Sequence, residues 1–87
     1  MRLVYSDKAL KQLKKLDKIA NARIVDYMDE IAVLKNPRER GKALVGNFAG
    51  FWRYRVGDYR ILCRIQDDVL EILIVEIGHR KNVYDDK

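Results

Sequence analysis

Two alternating runs on either side of a Gly-Asp dipeptide constrain this chain more than any other feature. Residues 51–65 read Phe-Trp-Arg-Tyr-Arg-Val-Gly-Asp-Tyr-Arg-Ile-Leu-Cys-Arg-Ile. Period-two alternation around a two-residue, glycine-first loop predicts a β-hairpin with a type II′ turn at Gly57-Asp58. The loop length sets the register, placing Val56 opposite Tyr59 and therefore Arg55 opposite Arg60. Like charges directly across a strand pair are destabilising, so an anion belongs between them.

The rest of the chain supplies what such a hairpin needs to pack against. Residues 2–5 read as a short first strand. Ser6 is a candidate helix N-cap, with Asp7 in the first turn where the helix dipole favours an anion. Ala9, Leu10, Leu13 and Leu16 then recur at helical spacing, opposite Lys8, Lys11, Lys14, Lys15 and Lys18. Ile19, Ala20, Ile24, Tyr27, Met28, Ile31 and Leu34 form a second helical stripe. It ends at Asn36-Pro37, because the residue before proline is pushed out of the helical region. Residues 37–50 carry three glycines and the basic side chains Arg38, Arg40 and Lys42, and read as a loop. Three strands follow, near 51–56, 59–66 and 69–77. The order is β-α-α-β-β-β, an α+β fold in which an antiparallel sheet packs two helices on one face.

Alternation divides the strands into two faces. The core side takes Trp52, Tyr54, Val56, Tyr59, Ile61, Cys63, Ile65, Leu70, Ile72 and Ile74. The other side takes Phe51, Arg53, Arg55, Arg60, Leu62, Arg64, Glu71, Leu73, Val75 and Ile77, with Arg64 expected opposite Glu71 as a cross-strand ion pair. That second face is half apolar, which is unusual on a small domain and favours a bound protein segment.

At 87 residues the chain has room for one core, so residues 1–87 are expected to form a single domain. No apolar run approaches the length of a membrane span, and the N-terminus lacks the layout of a signal peptide. One cysteine and one histidine exclude an internal disulfide and a His/Cys metal site. The paired aspartates at 67–68 and 85–86 fit a turn and a tail better than a two-metal site. A cytoplasmic domain without metal or cofactor is expected. The net charge is +5, and its basic excess is concentrated in residues 38–64, mostly as arginine. Arginine grips phosphate through two parallel hydrogen bonds and stacks on bases better than lysine does, which favours a nucleic-acid partner.

Candidate chemistry comes from joining this face to the end of the last strand, where Ile77-Gly78-His79-Arg80-Lys81-Asn82-Val83-Tyr84 supplies the only histidine. In the nominal register His79 points to the arginine face, though a bulge at Gly78 would move it. Cations, an imidazole and a phenol suit metal-independent RNA cleavage, in which the 2′-hydroxyl attacks the adjacent phosphorus. That reaction needs a base, cations for the phosphorane and an acid for the leaving 5′-oxygen. Arginine stabilises charge but is a poor proton carrier. Proton transfer then falls to His79, Tyr84, a lysine, or groups on substrate or partner.

Trp-Arg-Tyr-Arg-Val-Gly-Asp-Tyr-Arg-Ile at 52–61 and Val-Glu-Ile-Gly-His-Arg-Lys-Asn-Val-Tyr at 75–84, in this order of elements, resemble the RelE/ParE superfamily of toxins from toxin–antitoxin pairs. The resemblance spans essentially the whole chain. Its RelE branch implies a ribosome-dependent mRNA endonuclease acting in the ribosomal A site, with rRNA and mRNA as partners. It places Arg60 on the scissile phosphate, Arg80 at transition-state charge or the leaving group, and Tyr84 at base stacking or 2′-hydroxyl activation. His79 falls at the histidine of the Gly-His-Arg motif that many relatives carry, which implies a part in proton transfer. Arg53 and Arg55 match basic residues of the second strand, where the best-studied members carry lysines; with Lys42 and Lys81 they form the expected RNA-binding set. A separate cognate antitoxin is implied as protein partner. The ParE branch implies instead a DNA gyrase inhibitor without nuclease activity, and a catalytically inactive relative serving as a binding module is the third alternative.

Overall fold

The computed structural model describes residues 1–79. Strand β1 (Arg2–Tyr5) leads into helices α1 (Asp7–Lys14) and α2 (Lys18–Val33), followed by β2 (Lys42–Ala43), β3 (Trp52–Val56), β4 (Tyr59–Gln66) and β5 (Glu71–His79). Both helices begin where a side chain caps them. Ser6 Oγ accepts from the Ala9 N–H at 3.0 Å, and Asp17 Oδ1 accepts from the Ala20 N–H at 2.8 Å. Helix α2 stops at Leu34, whose backbone is extended, three residues ahead of Pro37. No helix among the described residues is long and apolar enough to cross a membrane.

The five strands form one sheet in the order β1-β5-β4-β3-β2. The α+β class with two helices on one face is as the sequence predicts, and two details differ. First, β1 runs parallel to β5, so the sheet is mixed where the sequence reading has it antiparallel. The whole α1–α2 excursion lies between β1 and the hairpins, and a crossover of that length permits parallel pairing. Second, the expected loop at 37–50 contains the edge strand β2, paired with β3 at Lys42↔Arg53 and Ala43↔Trp52.

The core lies between the helices and one sheet face. Ala9 and Leu13 of α1 and Ile24, Met28 and Ile31 of α2 meet Tyr54, Ile61, Cys63, Ile72, Ile74 and Ile77. Burial removes Cys63 from chemistry by pushing its thiol pKa well up. Ile19, placed on the apolar stripe by spacing, is instead largely exposed, because it sits in the first turn, beyond the reach of the sheet.

The β4–β5 register departs from the expected one in two steps. The connection is a 3-10 turn, Asp67–Val69, closed by Leu70 in the left-handed region at φ 52°. It consumes more chain than a two-residue loop, so Arg64 faces Leu73 and Gln66 faces Glu71. Leu70 is thereby exposed rather than core. Glu71 pairs across the other edge with Arg2 at 2.6 Å, which corrects the expected Arg64–Glu71 ion pair. Next, the ladder shifts between Leu62↔Glu76 and Cys63↔Ile74, leaving Val75 as an extra residue on β5. A one-residue bulge flips every later side chain to the opposite face. Ile77, expected outside, is therefore a core residue at 1% exposure. With Ile77 gone and Leu62 only 4% exposed, the outer face is less apolar than the sequence implied.

Helix α1 covers the edge of β5 where β1 runs out. The Ser6 N–H donates to the Ile74 carbonyl at 2.9 Å, Ser6 Oγ–H donates to the Val75 carbonyl at 2.8 Å, and the Ile77 N–H donates to Gln12 Oε1 at 2.7 Å. These contacts anchor the bulge and satisfy backbone groups that β1 no longer reaches.

Candidate nucleic-acid interface

The hairpin turn has Gly57 at φ 58°, while among the described non-glycine residues only Leu70 has positive φ, so Asp58 does not; this is the type II′ geometry. It delivers the register read from the sequence: Val56↔Tyr59, Arg55↔Arg60, Tyr54↔Ile61, Arg53↔Leu62 and Trp52↔Cys63. Since Tyr54, Ile61 and Cys63 belong to the core, alternation sends Arg53, Arg55, Arg60 and Arg64 to the face without helices.

Two rows run across that face. The row Lys42, Arg53, Leu62, Glu76 crosses β2 to β5, and the row Arg55, Arg60, Gly78 lies next to it. Lys42 joins because the preceding segment is fastened over β3. Trp52 Nε1–H donates to the Arg40 carbonyl at 2.8 Å, and the Tyr54 hydroxyl donates to the Pro37 carbonyl at 2.6 Å. Gly41, at φ 83°, packs so closely that a Cβ there would lie 2.6 Å from the Arg53 carbonyl oxygen and 2.5 Å from Trp52 Nε1. Only glycine permits that approach. Nothing in the composition of the 37–50 loop announced β2; the signal available was its glycine–lysine pair ahead of an aromatic strand.

Charge on this face is largely positive. Lys42 and Arg55 are exposed, and neither forms an ion pair among the described residues. Arg53 and Arg60 are half-buried. The acid in the first row, Glu76, is engaged by Lys8 of α1 at 3.1 Å. Leu62, between Arg53 and Glu76 in the first row, is buried outside the main core cluster. A face of this kind can hold a phosphate through several guanidinium N–H groups at once.

His79 is not on it. The bulge at Val75, rather than one at Gly78, pairs His79 with Tyr59 on the helix-packed side, where the two rings meet edge to face with centroids 5.8 Å apart. The orientation toward the arginines expected from the nominal register is thus corrected. Arg80, Lys81 and Tyr84 lie outside the described residues. Sequence reasoning passed over one feature of the outer face: Arg64 stands over the Phe51 ring, its guanidinium carbon 4.9 Å from the centroid, and Phe48 meets Phe51 edge to face at 6.4 Å.

Comparison with known proteins returns one family. A family model described as "ParE toxin of type II toxin-antitoxin system, parDE" matches residues 3–84. Toxin RelG of Mycobacterium tuberculosis is 36% identical over 50 residues, covering 58% of this chain and 58% of that protein, so the match spans little more than half of that relative's length. Among solved structures, the toxin–antitoxin complex RelBE2 of Mycobacterium tuberculosis superposes with a TM-score of 0.82 at 29% identity, covering 91% of this chain and 96% of that one. The archaeal RelE–RelB complex of Pyrococcus horikoshii OT3 follows with a TM-score of 0.75 at 25% identity, covering 94% and 97%.

Proposed function

The chain belongs to the ParE toxin family of type II toxin–antitoxin systems, within the RelE/ParE superfamily, and from that premise we propose that it is a ribosome-dependent endoribonuclease that cleaves mRNA in the A site. The observation that carries this is the Arg55–Arg60 pair, directly opposed across the hairpin and flanked by Arg53 and Lys42. An RNA phosphate between the two guanidinium groups would accept hydrogen bonds from both.

The reaction is transesterification. The 2′-hydroxyl oxygen attacks phosphorus, the bond to the 5′-oxygen breaks, and the products are a 2′,3′-cyclic phosphate and a 5′-hydroxyl. Arg60, with Arg55 and Arg53, holds the phosphate and neutralises the extra charge of the phosphorane. A guanidinium stabilises charge but is a poor proton carrier. His79, turned toward Tyr59, is poorly placed to serve a phosphate on the opposite face. Proton transfer is therefore assigned to Tyr84, with Arg80 assisting the leaving group, or to groups the ribosome and substrate bring. Lys42 and Lys81 add phosphate contacts. The site of action is cytoplasmic, and a cognate antitoxin is the protein partner, in keeping with the toxin–antitoxin complexes among the similar structures.

The name of the matching family model favours a second reading, a ParE-like inhibitor of DNA gyrase. Inducing the chain in cells and mapping mRNA 5′ ends beside plasmid supercoiling and DNA breaks separates the two. Codon-phased cuts that vanish in Arg60→Ala are expected. Intact mRNA with DNA damage would overturn the nuclease assignment and leave the gyrase one.

A further inference from the structure

The outer face carries aromatic surface that the core does not use. Phe48 and Phe51 are half-buried yet belong neither to the core cluster nor to the hydrophobic residues packed against it. They meet edge to face, and Arg64 is exposed with its guanidinium over Phe51. A Cβ at Gly50 would sit 3.9 Å from Arg64 Nη2, so the guanidinium lies against the loop that leads into β3. Arg64 shares the face of Arg60, because β3 and β4 pair without interruption from Trp52↔Cys63 to Val56↔Tyr59. Arg64 lies four positions on from Arg60, about 13 Å along β4.

We propose that Phe51, Phe48 and Arg64 form a nucleobase-stacking subsite for single-stranded RNA, at the opposite end of the arginine rows from the Arg55–Arg60 cradle. The inference rests on the phosphate-binding role proposed above and extends it to a base several nucleotides from the bond being cut. A guanidinium held over an aromatic ring presents its far side to solvent, and such planes stack on bases of any identity. The position makes chemical sense for a strand of RNA lying along β4: phosphate at one end, a base gripped at the other, and cationic side chains between. The same arrangement read as ordinary surface packing predicts no dependence of RNA binding on the presence of bases.

The test compares a twelve-nucleotide RNA with an abasic strand of equal length and charge, at low salt, by fluorescence anisotropy. The wild-type chain binds the base-containing strand more tightly, and Arg64→Lys, which keeps the charge but loses the plane, shrinks that advantage by about fivefold or more. Phe51→Leu does the same in protein whose melting curve is unchanged. Arg55→Ala and Arg60→Ala weaken both strands alike. If the arginine variants act this way but the base-dependent advantage survives Arg64→Lys, the stacking subsite is wrong and the cradle stands. If Arg55→Ala and Arg60→Ala leave both affinities unchanged, the cradle itself is wrong, and so is everything built on it.

Discussion

Leu70 sits in the left-handed region, at φ 52° and ψ 50°, with 64% of its surface exposed. A branched apolar residue gains nothing from that exposure and pays roughly 1–2 kcal/mol for the backbone conformation. Asparagine tolerates it far better, so Leu70→Asn is expected to raise the melting temperature by about 4–8 °C, the equivalent of about 1 kcal/mol in a domain of this size. A thermal melt checks it, and an unchanged or lower midpoint counts against the strain. Tyr5 presents the opposite case. Its hydroxyl oxygen is buried without a hydrogen-bond partner among the described residues. Burial, reinforced by the nearby Asp29 and Cys63, pushes the phenol pKa up to about 12. Removing an unsatisfied hydroxyl is close to neutral or favourable, since the water it would regain on unfolding no longer competes. Tyr5→Phe is expected to leave the urea unfolding free energy unchanged or higher by up to about 1 kcal/mol. A clear loss would mean that the hydroxyl is bonded after all.

At the scale of elements, the bulge in β5 decides what the last strand offers the site. It turns Ile77 into the core and His79 toward Tyr59, and Gln12 of α1 and the capping Ser6 hold it there. His79 packs there against Tyr59, and the proposed reading gives it a structural part, keeping the end of β5 in register with β4. His79→Phe preserves the ring contact and is expected to retain cleavage within a few-fold, whereas His79→Ala loses both the contact, worth about 1 kcal/mol, and most of the activity. If His79→Phe folds normally and abolishes cleavage along with a limb of the pH–rate profile, the histidine is a proton carrier. This region also marks where sequence reading stopped. The β3–β4 hairpin was legible because a glycine-first two-residue turn joins two strictly alternating strands, leaving one register. The apolar run at 72–75 does not alternate, so nothing local said which of its residues would be the extra one. The turn at 67–70 has no glycine to announce that Leu70 takes a left-handed conformation, and the longer connection moved Glu71 from Arg64 to Arg2. Strand β2 is only two residues long and depends on Gly41 fitting beneath Trp52 and Tyr54, a tertiary fit with no periodic signature. The α1 cap and the buried stripe of both helices were plain, because Ser6 and the spacing of Leu13, Ile24, Met28 and Ile31 are local signals.

As a whole molecule, the chain is a two-sided sheet. One face is committed to two helices, and the other carries the basic side chains Lys42, Arg53, Arg55 and Arg60. The net charge of +5 favours encounter with polyanions and makes such encounters salt-dependent. It does not by itself choose between RNA and a protein partner with an acidic surface. Family membership narrows the choice to toxin action, and the opposed arginines are the observation behind the proposed phosphate site at the hairpin. The most direct measurement is single-turnover cleavage of mRNA on ribosomes programmed with a defined codon in the A site, using wild type, Arg60→Lys and Arg60→Ala of equal thermal stability. Cutting at the A-site codon is predicted for wild type, with a loss of about a hundredfold or more in Arg60→Ala and a partial loss in Arg60→Lys, which keeps the charge without the two-pronged grip. Undiminished cleavage by Arg60→Ala, or no cleavage by the wild-type chain, would contradict the account.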